Sequence, residues 1–328
     1  MKNFVYHSKN FDTLGENTSK FLSSFYDKKY PVYIKIHFGE PTNPYALTPK
    51  EIVPITSALH ELGLKTILID MPVMYDSLRN SPKTYSEFVE LKGWNKISDT
   101  LISKSTVKVK TKSMLIEVCK ELAQAKNVLV ISHVKGHGCS GFGGALKNLG
   151  MGAVSKKSKA AQHNGSKPVL KGDCIGCGTC EIYCPAKAIT IKKGKFTYDS
   201  DTCLGCSICQ LKCPQQCLEP KTGIFDDLLA QSASAVISKL PKKTYYINLI
   251  KDVTQFCDCH QDPGEIIAEN AGVLFSENPV AIDTASIDLI NKKSPDVFMK
   301  LNNKDPMLHV RAVEGIIGIP GNYKLKNI

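Results

Sequence analysis

Eight of the thirteen cysteines stand in two copies of one pattern, C-x2-C-x2-C-x3-C-P: CIGCGTCEIYCP at 174–185 and CLGCSICQLKCP at 203–214. Each cysteine of the first copy recurs 29 positions later, so Cys174, Cys177, Cys180 and Cys184 correspond to Cys203, Cys206, Cys209 and Cys213. Three thiolates on one tight loop can occupy three corners of a cubane, while the fourth, carried off by a short helical turn, reaches a second one. The spacing therefore assigns Cys174, Cys177, Cys180 and Cys213 to one [4Fe-4S] cluster, and Cys203, Cys206, Cys209 and Cys184 to another. Paired zinc knuckles also use C-x2-C, but zinc takes four ligands per site and does not require a doubled pattern closed by Cys-Pro.

The segment resembles the two-cluster bacterial ferredoxin over residues 165–219, and that resemblance implies clusters close enough for rapid one-electron transfer. Cys217 follows the second copy, but its counterpart 29 residues earlier is Ala188 (AKAI against QQCL). The position calls for a small buried group, which a free cysteine provides.

The flanking sequence alternates strand and helix. PVYIKIHF (31–38) reads as a strand, TPKEIVPITSALHELG (48–63) as a helix capped by Thr48 with Pro49 in its first turn, and KTILID (65–70) as a second strand. SMLIEVCKELAQA (113–125) reads as a helix with Cys119 in its apolar periodicity, and NVLVISHV (127–134) as a buried strand. After about 220 the alternation resumes with the helix DDLLAQSASAVISKL, the strands TYYINLI and GVLFS, and a helix beginning after Asn278. This order predicts an α/β fold, a mainly parallel sheet with helices on both faces. A small α+β ferredoxin-like insert at 165–219 interrupts it, leaving 1–164 and 220–328 as one discontinuous domain. The lysine-rich SKKSKAAQHNGSKP (155–168) reads as a loop-like linker into the insert.

Three stretches outside the insert concentrate polar residues: KIHFGEP (35–41), SHVKGHGCSGFGGALKNLGMG (132–152), and FCDCHQD (256–262) with SENPVAIDTAS (276–286). His37 with Glu40, and His133 with Lys135 and His137, follow strands at the end where parallel sheets meet ligands; a strand histidine can equally be a satisfied core residue. In GFGGALKN the amides around Gly141, Gly143 and Gly144 could converge on a phosphate or carboxylate, with Lys147 or Lys135 adding charge. Alternatively, the glycines only permit a tight turn. The run lacks the dinucleotide spacing G-x-G-x-x-G. Cys257 and Cys259 with His260 offer metal chemistry completed by a distant His37 or His137; on the other reading Cys257 is buried beside Phe256 and Asp258 caps a turn.

HFGE (37–40), SHVKGH with GFGGALKNLGMG, the CDC at 257–259 and NPVAID (278–283) resemble the family known as domain of unknown function 362, whose members commonly carry a two-cluster ferredoxin insert. The resemblance covers nearly the whole chain and implies the architecture but no activity. Cys139, within the glycine loop, is the place to expect a local departure.

Thirteen cysteines among 328 residues point to metal binding or catalysis in a reducing compartment. No run approaches the roughly 18 apolar residues of a membrane span, and MKNFVYHSKN has no apolar signal core, so the expected location is the cytoplasm, with no membrane partner. The net charge of +11 rests on lysine, since Arg79 and Arg311 are the sole arginines. That balance argues against a nucleic-acid site, and two oxidised clusters would lower the charge to about +7.

The pattern favours a redox enzyme in which the clusters feed single electrons to a small anionic substrate or a further cofactor, a flavin or metal. His37, Lys135, His137, Cys257, Cys259 and His260 would form its active site. The alternative is a non-catalytic electron carrier whose basic surface docks on an acidic redox partner.

Overall fold

The computed structural model describes residues 3–328. Its centre is an eight-stranded sheet built from β1 (Phe4–Ser8), β2 (Val32–Lys35), β3 (Thr66–Asp70), β4 (Asp99–Ile102), β5 (Asn127–His133), β6 (Thr244–Ile250), β7 (Gly272–Ser276) and β8 (Lys324–Asn327). The spatial order is β8-β1-β7-β6-β5-β2-β3-β4. β7 runs antiparallel to both neighbours, β1 and β6, and every other pairing in this sheet is parallel.

Alternation along the central strands explains why both faces are covered. In β5, Val128 and Val130 enter one core and Leu129 and Ile131 the other. The second core is closed by α1 (Leu14–Leu22), α2 (Pro49–Glu61) and α3 (Pro82–Leu91). The first is closed by α5 (Phe225–Ile237), α6 (Pro279–Lys293) and α7 (Leu308–Ile317), after α4 (Lys156–Gly165) has led into the cysteine-rich segment. Local chemistry sets the helix starts: Thr48 and Glu51 form a capping box ahead of α2, and the Asn278 side chain accepts from the amides of Val280 and Ala281 ahead of α6.

Two expectations need correction. Residues 113–125 do not form one helix: Leu115–Cys119 is a strand paired antiparallel with Thr106–Lys110, and only Lys120–Gln124 is helical. Ile116 and Val118 are fully buried while Leu115 and Glu117 are not, so a period of two with β-branched residues wins over the helical reading across 115–118. Residues 155–168 are not loop-like, because α4 occupies most of them. The Ser155 side chain caps α4, Gln162 donates to Gly150 O (3.1 Å) and Ser232 Oγ (3.1 Å), and Lys159 buries its ammonium against Pro72 O (2.6 Å). Lysine-rich composition concealed a helix that turns Lys159 and Gln162 into the protein.

Between α4 and α5 no strand joins the central sheet. Pro168–Leu170 pairs with Leu218–Pro220, and Ile189–Lys192 with Lys195–Tyr198. The 29-residue repeat is also a backbone repeat: Gly176 and Gly205, Gly178 and Ser207, and Lys187 and Gln216 all take positive φ. Short helical turns at Thr179–Ile182 and Ile208–Lys212 begin at matching positions.

Candidate functional site

Parallel β2, β3, β5 and β6 deliver their carboxyl ends to one edge of the sheet. The loops that follow are tied together there: the Glu40 amide donates to Asp258 O (2.9 Å), and the Asn43 side chain to His260 O (2.8 Å). Gly136 is needed for the approach of a third loop, because a Cβ at that position would stand 2.2 Å from Gln255 O. HFGE, KGH and CDC thus share one edge.

Within it, Cys257 and Cys259 are joined as a disulfide. A ring nitrogen of His137 and the two sulfurs lie within 4.8 Å of one another, a set able to hold a metal ion once the S–S bond is open. His137 Nδ1 accepts from the Ser140 amide (3.1 Å) and the Cys139 amide (3.3 Å), and burial followed by the Lys147 charge pushes its pKa well down. The ring is therefore neutral at neutral pH. Lys147 Nζ stands 3.4 Å from Cys257 Sγ, forms no ion pair among the described residues, and has a pKa lowered to about 8, chiefly by burial. Cys257 is buried and Cys259 half-buried.

The other expected site residues divide. His37 is half-buried, accepts from the Gly39 amide at Nδ1 (3.1 Å), and lies outside the His137 and cysteine group. His260 is exposed, stacks on Phe256 with ring centroids 5.0 Å apart, and also lies outside that group, so neither histidine completes a metal site. Lys135 is fully buried and committed: its ammonium bonds Asp252 O and faces Asp258 Oδ1 at 3.8 Å, and burial lowers its pKa to about 8. Asp258 caps no turn with its side chain; Oδ2 meets His133 Nδ1 at 2.8 Å. Burial would raise the Asp258 pKa, but His133, Lys135 and Lys147 hold it below the ordinary aspartate value.

The glycine loop already holds an anion of its own. The amides of Ala145 and Leu146 donate to the two carboxylate oxygens of Asp283 (2.7 and 2.9 Å). Gly144 leaves room for that carboxylate, since a Cβ there would meet Asp283 Oδ1 at 2.3 Å. Gly143 likewise makes room for the Lys147 stem (2.8 Å), and Gly141 takes φ +73° against Lys304 O. Tight packing, the second reading of these glycines, accounts for all three.

Sequence reasoning missed a chain of buried charge behind the edge. Lys35, the last residue of β2, pairs with Asp70 (3.0 Å) and donates to Asn148 Oδ1 (2.7 Å). Tyr85 OH donates to Asp70 Oδ2 (2.5 Å), the Arg79 guanidinium lies 5.2 Å from the Tyr85 ring centre, and Arg79 pairs with Glu40 (3.1 Å). The available signal was a lysine within the apolar run VYIKIHF.

In the cysteine-rich segment, one pocket is lined by Cys174, Cys177, Cys180 and Cys213, with Cys217 beside them. A second is lined by Cys184, Cys203, Cys206 and Cys209. Each takes three cysteines from one copy of the repeat and the fourth from the other. Ala188 and Cys217 are both buried, as their correspondence requires. The second cavity faces the α/β core, where Cys206, Cys139, Ile208, Phe225 and Leu229 pack together. The first faces outward, with Cys177 exposed.

The sequence matches the family described as Domain of unknown function (DUF362) over residues 32–288. The chain belongs to that family. No curated protein matches it. Among solved structures it is similar to a Thermotoga maritima protein at 10% identity and TM-score 0.46, covering 92% of this chain and 59% of that one. It is also similar to the lactate racemase apoprotein of Thermoanaerobacterium thermosaccharolyticum at 10% identity and TM-score 0.39, covering 76% and 51%. The chain thus spans little more than half the length of either structure. For this DUF362 chain, no helix among the described residues is long and apolar enough to cross a membrane.

Proposed function

We propose that the chain is an iron-sulfur oxidoreductase, with residues 165–219 as an inserted ferredoxin-like domain and the remainder as the substrate-bearing α/β domain. The observation that carries this reading is the pair of cysteine-lined cavities, each with the crossed set of four that the repeat spacing requires. Cys174, Cys177, Cys180 and Cys213 would hold one [4Fe-4S] cluster, and Cys203, Cys206, Cys209 and Cys184 the other. When bound, the clusters supply one-electron storage and transfer. The sheet edge with His137, Lys147, Cys257 and Cys259 is where the α/β domain handles the substrate, and Lys147, a cation without a carboxylate partner, favours an anionic one.

Purification without oxygen followed by iron and sulfide analysis tests this. About eight of each per chain are expected, with a dithionite-reducible visible absorption; stoichiometric zinc, or no metal, overturns it. A second reading, a carrier that docks on an acidic redox partner, is favoured by the outward cavity. Exposed Ile175 and Ile182 lie close to it in sequence, and exposed Lys171, Lys187, Lys192, Lys193 and Lys195 belong to the same segment. Salt-sensitive binding to an acidic ferredoxin or flavoprotein, with no ligand held at the sheet edge, would select it.

A further inference from the structure

The protein carries one disulfide among the described residues, Cys257–Cys259, and a short run of contacts links it to the cysteine-rich segment. From Cys206 the route inward is short. Cys206 packs with Cys139 in one apolar cluster, the Cys139 amide donates to His137 Nδ1 (3.3 Å), and a His137 ring nitrogen lies within 4.8 Å of both Cys257 and Cys259 sulfurs. The Phe225 ring, from the same cluster, stacks on His137 at 6.3 Å. A structural brace would join distant parts of the chain, because a disulfide stabilises more as the loop it closes lengthens. This one spans two residues and so contributes little as a brace.

We infer that Cys257 and Cys259 form a redox-active dithiol–disulfide couple, the two-electron acceptor of the α/β domain. The inference rests on the proposed function for its source of electrons, which arrive singly from the cysteine-rich segment. The S–S bond takes two electrons and breaks, and each sulfur takes one proton from solvent, giving two thiols. The Lys147 ammonium, 3.4 Å from Cys257 Sγ, faces the sulfur on which negative charge develops as the bond opens. Cys259, the less buried of the two, is the sulfur that an external thiol or disulfide can reach. The substrate class is accordingly a disulfide or dithiol, taken by exchange at Cys259. The reduced pair with His137 is also the state that could bind a metal ion, so metal binding and disulfide formation exclude each other.

The test equilibrates oxygen-free holoprotein with buffers of reduced and oxidised dithiothreitol, traps thiols with a maleimide, and weighs the peptide carrying residues 256–262. Expected is a two-electron transition from unlabelled to doubly labelled, with Cys259 the first to react in a brief iodoacetamide pulse. In a dithionite titration the holoprotein should accept two more electrons per chain than Cys257→Ser/Cys259→Ser of equal iron content. Labelling of both sulfurs in every buffer, protection of both by a stoichiometric metal in every buffer, or equal electron uptake by the two proteins overturns the couple even if the iron analysis succeeds. A normal thiol transition in protein without iron supports the couple and overturns the electron source, so the two readings fail separately.

Discussion

The cysteine-rich segment and the sheet edge solve the same problem, holding reactive groups at fixed distances, by opposite means. The segment places eight cysteines within a single stretch from 174 to 213 and fixes their loops with backbone turns that recur at the same offset. The sheet edge gathers His37, His137, Lys147, Cys257 and Cys259 from loops far apart in sequence, and it relies on buried charge and close backbone contact behind them. The first is a local device that tolerates exposure. The second exists only when the whole sheet is formed.

The sharpest way to separate the two is to damage one and measure both. Cys209→Ser should remove about half of the bound iron, one of two clusters, while the α/β domain keeps its unfolding midpoint within a few degrees. Iron analysis beside thermal unfolding checks this, and collapse of both together would show that the regions are not independent. Lys35→Met leaves Asp70 buried with only the Tyr85 hydroxyl, and should cost about 3–5 kcal/mol in urea unfolding; a loss below about 1 kcal/mol would mean that buried charge does not hold the edge.

A smaller, pH-dependent effect comes from Lys159. Burial lowers its folded pKa to about 7 from the ordinary 10.5, despite the opposing pull of Asp70. Between those values the unfolded chain binds the extra proton, so stability should rise as pH climbs above 7, by at most about 1.4 kcal/mol per pH unit. Lys159→Met should flatten that rise in denaturant titrations run from pH 7 to 9, and an unchanged slope would place the effect elsewhere. The smallest effect is expected at Cys217. If it is packing and not a ligand, Cys217→Ala, which restores its repeat partner's residue, should leave the iron content unchanged; loss of iron would make it a ninth ligand.

The α/β order, most of its strands and helices, and the crossed cysteine sets were legible because each depends on neighbours in sequence: Thr48 with Glu51, Asn278 with the amides two and three residues on, and cysteines at fixed spacing. The strand at 115–119 was hidden because LIEVC followed by KELAQ satisfies a helical and a strand period at once, and only pairing with Thr106–Lys110 decides between them. The sheet edge was half legible. Position after strand ends brought KGH and CDC together correctly, yet nothing local indicates that Asp283 fills the glycine loop from 137 residues away, or that Lys35 and Lys159 are buried. Lysine is rarely buried unless paired, and its burial is set by partners that sequence distance conceals.

The outermost strand β8 has a practical consequence for handling the protein. A sheet edge exposes unpaired amides and carbonyls that invite another chain to add on. Here the edge strand is KLKN; Lys324 is exposed, and Lys326 lies over the rings of Phe4 and Tyr6 at 3.9 and 5.8 Å. These charges repel a second copy approaching the same edge and cover the aromatic side chains of the strand beneath. Neutralising Lys324 and Lys326 should therefore reduce solubility on concentration, which light scattering of the concentrated protein would read.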